Sequence, residues 1–201
     1  MVITMAKLYY QGHGSYRLTA SDGRVVYVDP YVGDGYDVPA DAVLVTHDHY
    51  DHNQVSRVAQ KPGCRVITHV EALADGKHNA FDLGGGLAVE AVEAKNLNHD
   101  PKECVGYIVT MDNLKIYCSG DTSKTEQMGT LAARELDYAL YPLDGVYNMD
   151  LKEGAECAEL VGAKRNIPIH LKPGALFDRE KADRWDAPNK LIVEPGEEID
   201  L

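Results

Sequence analysis

Ala42-Val-Leu-Val45 followed by Thr46-His47-Asp48-His49-Tyr50-Asp51-His52 is the stretch from which the fold can be read. Four apolar residues in a row have the length of a buried strand, and they deliver the chain directly into three imidazoles and a carboxylate. The cluster therefore stands on a loop at a strand's carboxyl end. Imidazole and carboxylate are the donors that borderline divalent metals prefer, and their alternation lets successive ones face one cavity. No paired thiolates compete: Cys64, Cys104, Cys118 and Cys157 lie far apart without a Cys-x-x-Cys, and read as buried reduced thiols. The segment is read as a metal site in preference to a histidine-rich surface turn.

Upstream, Lys7–Tyr10, Tyr16–Thr19 and Arg24–Val28 read as strands, broken at Gly12-His13-Gly14 and at the hairpin signal Asp22-Gly23. Downstream, a short helix is expected from Asn53 to Gln60, closed by Pro62-Gly63, and then a strand over Arg65–Thr68. Gly84-Gly-Gly86 reads as a turn before the alternating Leu87–Val92, since no Gly-Lys-Ser/Thr follows to make a phosphate loop. Val105–Thr110 and Leu114–Cys118 form an antiparallel pair around Asp112-Asn113. The second half reads as helical and strand-poor. An amphipathic helix is expected over Lys124–Leu136 and a short strand over Tyr138–Tyr141. A further helix starts at Asp150, with Glu153 answering the cap, and runs to about Ala163. Asn166–Ile169 is a core strand ending at His170, and Leu191–Val193 closes a sheet edge. Strands early and helices between them later make a layered α/β class.

The 201 residues, 44% hydrophobic and 26% charged, suffice for one domain over 1–201 with a real core. A net charge of −12 repels polyanions, so no nucleic acid partner is expected. The first residues lack the apolar stretch of a secretory signal, and no run approaches a membrane span. A cytoplasmic protein acting on a small molecule, with no membrane partner, is the expectation.

The segment His47-x-His49-x-Asp51-His52 resembles the His-x-His-x-Asp-His signature of the metallo-β-lactamase superfamily. Other stretches match that family's pattern in order: Val28-Asp29-Pro30, His99 before Gly106-Tyr107, Ser119-Gly-Asp121-Thr122, and Ile167-Pro-Ile-His170. Gly12-His13-Gly14 is similar to the opening turn of its small hydrolases grouped with ascorbate-6-phosphate lactonase. The resemblance spans about residues 6 to 171 and implies a four-layer αββα sandwich with the site at one edge of the two sheets. It places His47, His49 and His99 on one metal ion, and Asp51, His52 and His170 on a second, with Asp121 between them. Two divalent ions are implied, zinc first, with manganese or iron as alternatives. His69 and His78 are the competitors for the place of His99.

The reaction expected is hydrolysis of an ester, lactone or phosphoester by a metal-bridged hydroxide, with Asp51 orienting the water and carrying a proton. Asp29 is expected to take an imidazole's far N–H, or else to form a turn with Pro30. His13 either lines the pocket, meeting substrate or a ligand carboxylate, or only turns the chain between its glycines. Tyr147 and Asn148 are candidates for a pocket wall. The alternatives are a non-catalytic metal-binding or ligand-sensing domain, and a phosphodiesterase or nuclease of the same superfamily.

Overall fold

The computed structural model describes residues 5–201. Two six-stranded sheets face each other. The first holds β1 (Lys7–Gly12), β2 (Ser15–Thr19), β3 (Val25–Val28), β4 (Ala40–Leu44) and β5 (Gln60–Ile67). The second holds β6 (Ala80–Asp82), β7 (Ala88–Glu93), β8 (Val105–Met111), β9 (Leu114–Cys118), β10 (Tyr138–Pro142) and β11 (Arg165–Ile169). The last strand, β12 (Glu198–Asp200), returns to the first sheet and pairs antiparallel with β1. Both sheets run antiparallel through their hairpins and then turn parallel, at β3-β4-β5 in one and β9-β10-β11 in the other. This succession brings the carboxyl ends of the parallel strands to one end of the sandwich.

Alternation along the strands builds the layers. Leu8, Tyr10, Leu18, Val26 and Leu44 of the first sheet meet Val89, Tyr107, Val109, Ile116 and Leu140 of the second in the central core. On the far side of the second sheet, Tyr117, Ala139 and Tyr141 are covered by α2 (Met128–Leu131), α3 (Leu151–Val161) and Trp185 beyond α4 (Arg179–Arg184). On the far side of the first sheet, Tyr27 and Val43 are covered by Tyr36 and Val58. With both faces covered, all four residues of β3 are buried. The chain has the αββα sandwich architecture, with the outer layer on the first sheet reduced to loop and a single 3₁₀ turn. Among the described residues, no helix is long and apolar enough to cross a membrane.

Several elements depart from the sequence reading. The helix expected over Asn53–Gln60 is only the 3₁₀ turn Val55–Arg57, and Pro62-Gly63 lies within β5. There the register slips between Ala40 and Ala42 of β4, so the proline occupies an irregularity and not a helix end. The helix expected from Lys124 starts at Met128, because the preceding backbone is engaged elsewhere. Ser123 N donates to Lys95 O at 2.9 Å and Lys124 N to Glu153 Oε1 at 2.8 Å. Glu153 is thus occupied with Lys124 and does not close a box on Asp150, although Asp150 caps the helix by accepting from Glu153 N at 2.8 Å. The helix stops at Val161 before left-handed Gly162, short of Ala163. Leu191–Val193 forms no strand, only an isolated bridge at Lys190 with Asn166; beyond Cys118 helices outweigh the strands β10, β11 and β12, as expected. The short α1 (His69–Ala72), β6 and β12 have no counterpart in the sequence reading.

Candidate metal centre

The carboxyl ends of five strands feed one spot. Asp29 follows β3, His47 follows β4, Asp121 follows β9, Asp144 follows β10 and His170 follows β11. The loop between β7 and β8 adds His99, and the turn between β1 and β2 adds His13. His13, Asp29 and His170 all adopt left-handed backbone, with φ of 56°, 46° and 45°. Such conformations cost an L-residue about 1–2 kcal/mol each and persist only when the surroundings enforce them. The enforcement is visible: His170 N donates to His13 O at 2.9 Å, and Ser15 Oγ donates to Asp29 O at 2.5 Å. Gly14 is required here, since a Cβ on it would stand 2.9 Å from His52 Cε1.

Two hydrogen-bonded chains stand behind the histidines, joining His52 to His47 and reaching from His99 to a carboxylate beside His170. In the first, Asp29 accepts from His52 Nδ1 at 2.9 Å and from Thr46 Oγ1 at 2.7 Å, and Thr46 Oγ1 lies 2.9 Å from His47 Nδ1. In the second, His99 Nδ1 donates to Asn96 Oδ1 at 2.7 Å, Asn96 Nδ2 to Asn148 Oδ1 at 2.9 Å, and Asn148 Nδ2 to Asp144 Oδ2 at 2.7 Å. His170 Nδ1 stands 3.1 Å from the same Asp144 oxygen. Each chain ends on a carboxylate and leaves Nε2 of its two imidazoles facing inward.

Those inner nitrogens converge on Asp121. Its Oδ1 is 3.5 Å from His52 Nε2, and its Oδ2 is 3.5 Å from His170 Nε2 and 3.7 Å from His99 Nε2. Nε2 of His47, His52 and His170 are buried without a hydrogen-bond partner. Buried polar atoms are rarely left so, and three together around one carboxylate are what a cation would satisfy. His49 Nδ1 lies 3.2 Å from His99 Nε2, close to the separation of about 3.4 Å between two tetrahedral nitrogen ligands of one zinc. Donor atoms of His47, His49 and His99 fall within 4.8 Å of one another, as do those of His13, Asp51, His52 and His170. The residues fit a divalent metal site.

The electrostatics follow from this crowding. Burial and the neighbouring His52 push the His47 imidazole down to about 2. Burial works against charge on His52 as well, but Asp121 and Asp29 outweigh it and raise that imidazole to about 9. Burial likewise disfavours ionised Asp121, yet His170, His52 and His47 hold it well below the usual carboxylate range. Asp51 is low for a similar reason: against burial stand the hydrogen bond from His13 and the charge of His52.

A cavity of about 640 Å³ opens onto the centre, lined by Tyr50, Asp51, His99, Asp121, Tyr147 and His170 among others. His13 is buried behind it, with Nε2 3.2 Å from Asp51 Oδ2 and Nδ1 3.2 Å from Ala175 O. Tyr147 stands in the wall, whereas Asn148 is buried in the second chain, between Asn96 and Asp144, because its amide satisfies both. His69 borders an adjoining recess of about 340 Å³ that also contains His47 and His99, and His78 is exposed. Asp144, Asn96 and Thr46 escaped the sequence reading. The available signal for Asp144 was its place just after a strand, two residues beyond Pro142, much as Asp29 follows Val28.

A family model described as a beta-lactamase superfamily domain matches residues 7–170. A UPF0173 metal-dependent hydrolase of Nitratidesulfovibrio vulgaris (strain Hildenborough) is 34% identical over 193 residues, covering 82% of this chain and 79% of the relative. One from Thermococcus onnurineus is 25% identical over 226 residues, covering 98% and 100%. Among solved structures, Igni18, a metallo hydrolase of Ignicoccus hospitalis, superposes with a TM-score of 0.78 at 22% identity, covering 98% of this chain and 99% of that one. The residues that converge on Asp121 fall within the matched stretch, and the chain belongs to the metallo-β-lactamase superfamily, among its metal-dependent hydrolases.

Proposed function

We propose that this hydrolase acts on an ester, lactone or phosphoester bond of a small soluble substrate at a pair of divalent ions, zinc in the first instance. The observation that carries the reading is the set of buried, partnerless Nε2 atoms of His47, His52 and His170 around Asp121. His47, His49 and His99 would hold one ion, Asp51, His52 and His170 the other, and Asp121 would touch both. Ions bound there supply Lewis acidity and ionise a water near neutral pH.

The chain's own groups do the rest. The Asp29 and Asp144 chains keep the protons of His52 and His170 on Nδ1, so that Nε2 is available as a ligand. Asp51 is the carboxylate at the cavity wall, and His13 Nε2 orients it through Oδ2. Asp51 can accept a proton from the attacking water and return it to the leaving oxygen. His13 positions that carboxylate and does not border the cavity. The four thiols are unpaired, which supports a reducing, cytoplasmic setting.

Metal analysis of the purified protein, with a panel of lactones, carboxylic esters and phosphodiesters, tests the proposal. Two equivalents of metal and turnover lost on chelation are expected. Asp121→Ala is expected to abolish turnover, and a fully active variant with normal metal content would sink the mechanism.

A further inference from the structure

Resting on the hydrolase reading, the mouth of the cavity narrows the substrate class. Among the described residues, eight large apolar side chains stand exposed, and five of them, Tyr50, Leu97, Val146, Tyr147 and Leu176, sit on the loops around the metal centre. Solvated apolar groups gathered at one opening mark a binding site more often than an accident. Tyr50 and Tyr147 line the cavity itself, together with Pro173 and Gly174. Both are supported. Asn98 Nδ2 donates to Tyr147 O at 3.2 Å, and the Tyr31 ring meets Tyr50 edge to face at 5.5 Å.

Charge points the same way. The cavity is lined by no lysine or arginine, and its charged side chains other than imidazole are Asp48, Asp51 and Asp121. Enzymes that grip a phosphoryl group place cationic forks or ammonium groups on its oxygens. Here a phosphate would have no cationic side chain in the wall, only whatever charge the metals supply, and would face the carboxylates of Asp48 and Asp51. At about 640 Å³ the space accommodates a drug-sized molecule.

We propose that the substrate is an uncharged carboxylic ester or lactone with an alkyl or aryl arm lying against Tyr50 and Tyr147, and not a phosphoester. The water oxygen bonds to the acyl carbon, the acyl C–O bond breaks, and one water proton passes through Asp51 to the leaving oxygen. The products are an alcohol and a carboxylic acid, which ionises at neutral pH.

The test uses the protein with its full metal complement and three reporters sharing one leaving group: 4-nitrophenyl acetate, hexanoate and phosphate. The expected order of kcat/KM is hexanoate, acetate, phosphate, with about tenfold between the esters, the scale of burying two of the four methylenes by which hexanoate exceeds acetate. In the Tyr50→Ala/Tyr147→Ala double variant the hexanoate-to-acetate ratio is expected to collapse. Calorimetry with N-phenylhexanamide, an uncharged analogue resistant to turnover, should show saturable binding that the double variant weakens. Faster turnover of the phosphate, equal turnover of the two esters, or no saturable amide binding would each overturn the inference. Amide binding without turnover of any reporter would support it while overturning the hydrolase reading.

Discussion

A ligand imidazole is directed by whatever stands at its far nitrogen, and Asp144 lies 3.1 Å from that nitrogen of His170 while closing a chain that reaches His99. Loss of such a partner typically lowers metal affinity by about 10–100-fold. Asp144→Ala is therefore expected to weaken metal binding by that order, read by competition with a chromophoric chelator; unchanged affinity would remove Asp144 from the centre. The same residues set a pH dependence for the metal-free protein. His52, raised to about 9, contributes stability that is complete below its unfolded value near 6.5 and is lost as pH climbs through 9. His47, depressed to about 2, stays neutral when folded, so stability falls as pH drops below about 6.5 and the unfolded chain takes up the proton. Thermal unfolding of the chelated protein should accordingly peak near pH 6.5, and a maximum above 8 would contradict this. Metal at His52 Nε2 displaces the proton, so metal affinity should rise up to about pH 9.

Among the elements, α3 approaches the loop after β10 so closely that a Cβ on Gly154 would lie 2.2 Å from Leu143 Cδ2. Leu143 precedes Asp144, so the packing of this helix supports the metal centre. Gly154→Ala is expected to destabilise the fold by about 1–3 kcal/mol, measured by urea unfolding, despite the better helix propensity of alanine. The strands around the site were legible in advance because their signals are local: Val25–Val28 within Arg24–Val28 and Ala42–Val45 are short apolar runs, and Asp22-Gly23 and Asp112-Asn113 punctuate hairpins. The start of the helix expected over Lys124–Leu136 was not, because Ser123 just before it is bonded to Lys95 and Lys124 to Glu153, partners distant in sequence. Asp144 was hidden for the same reason. Its role exists only once β10 and β11 pair in parallel, whereas His47 to His52 announce themselves within six positions.

For the molecule as a whole, the candidate metal centre spans the carboxyl ends of both sheets, while most of the apolar core fills the space between them. Chelation is expected to lower the Tm with the β-sheet circular dichroism retained at room temperature. A ligand present at a thousand times its Kd stabilises by about 4 kcal/mol, which sets the scale of that drop. Unfolding on chelation alone would show that the metals are required for the sandwich to form. Of the five candidate histidine ligands, His49 alone is exposed and has no oxygen behind its ring; its partner is His99 Nε2. Under the proposed assignment, an ion held by His47, His49 and His99 would have one hinge-like ligand able to swing away, whereas one held by His52 and His170 would be gripped by buried ligands. The two ions should differ in residence time. Isotopic exchange is expected to be biphasic, with the faster phase at the His49 position, so that a cell poor in metal would hold this protein mainly in a half-loaded form.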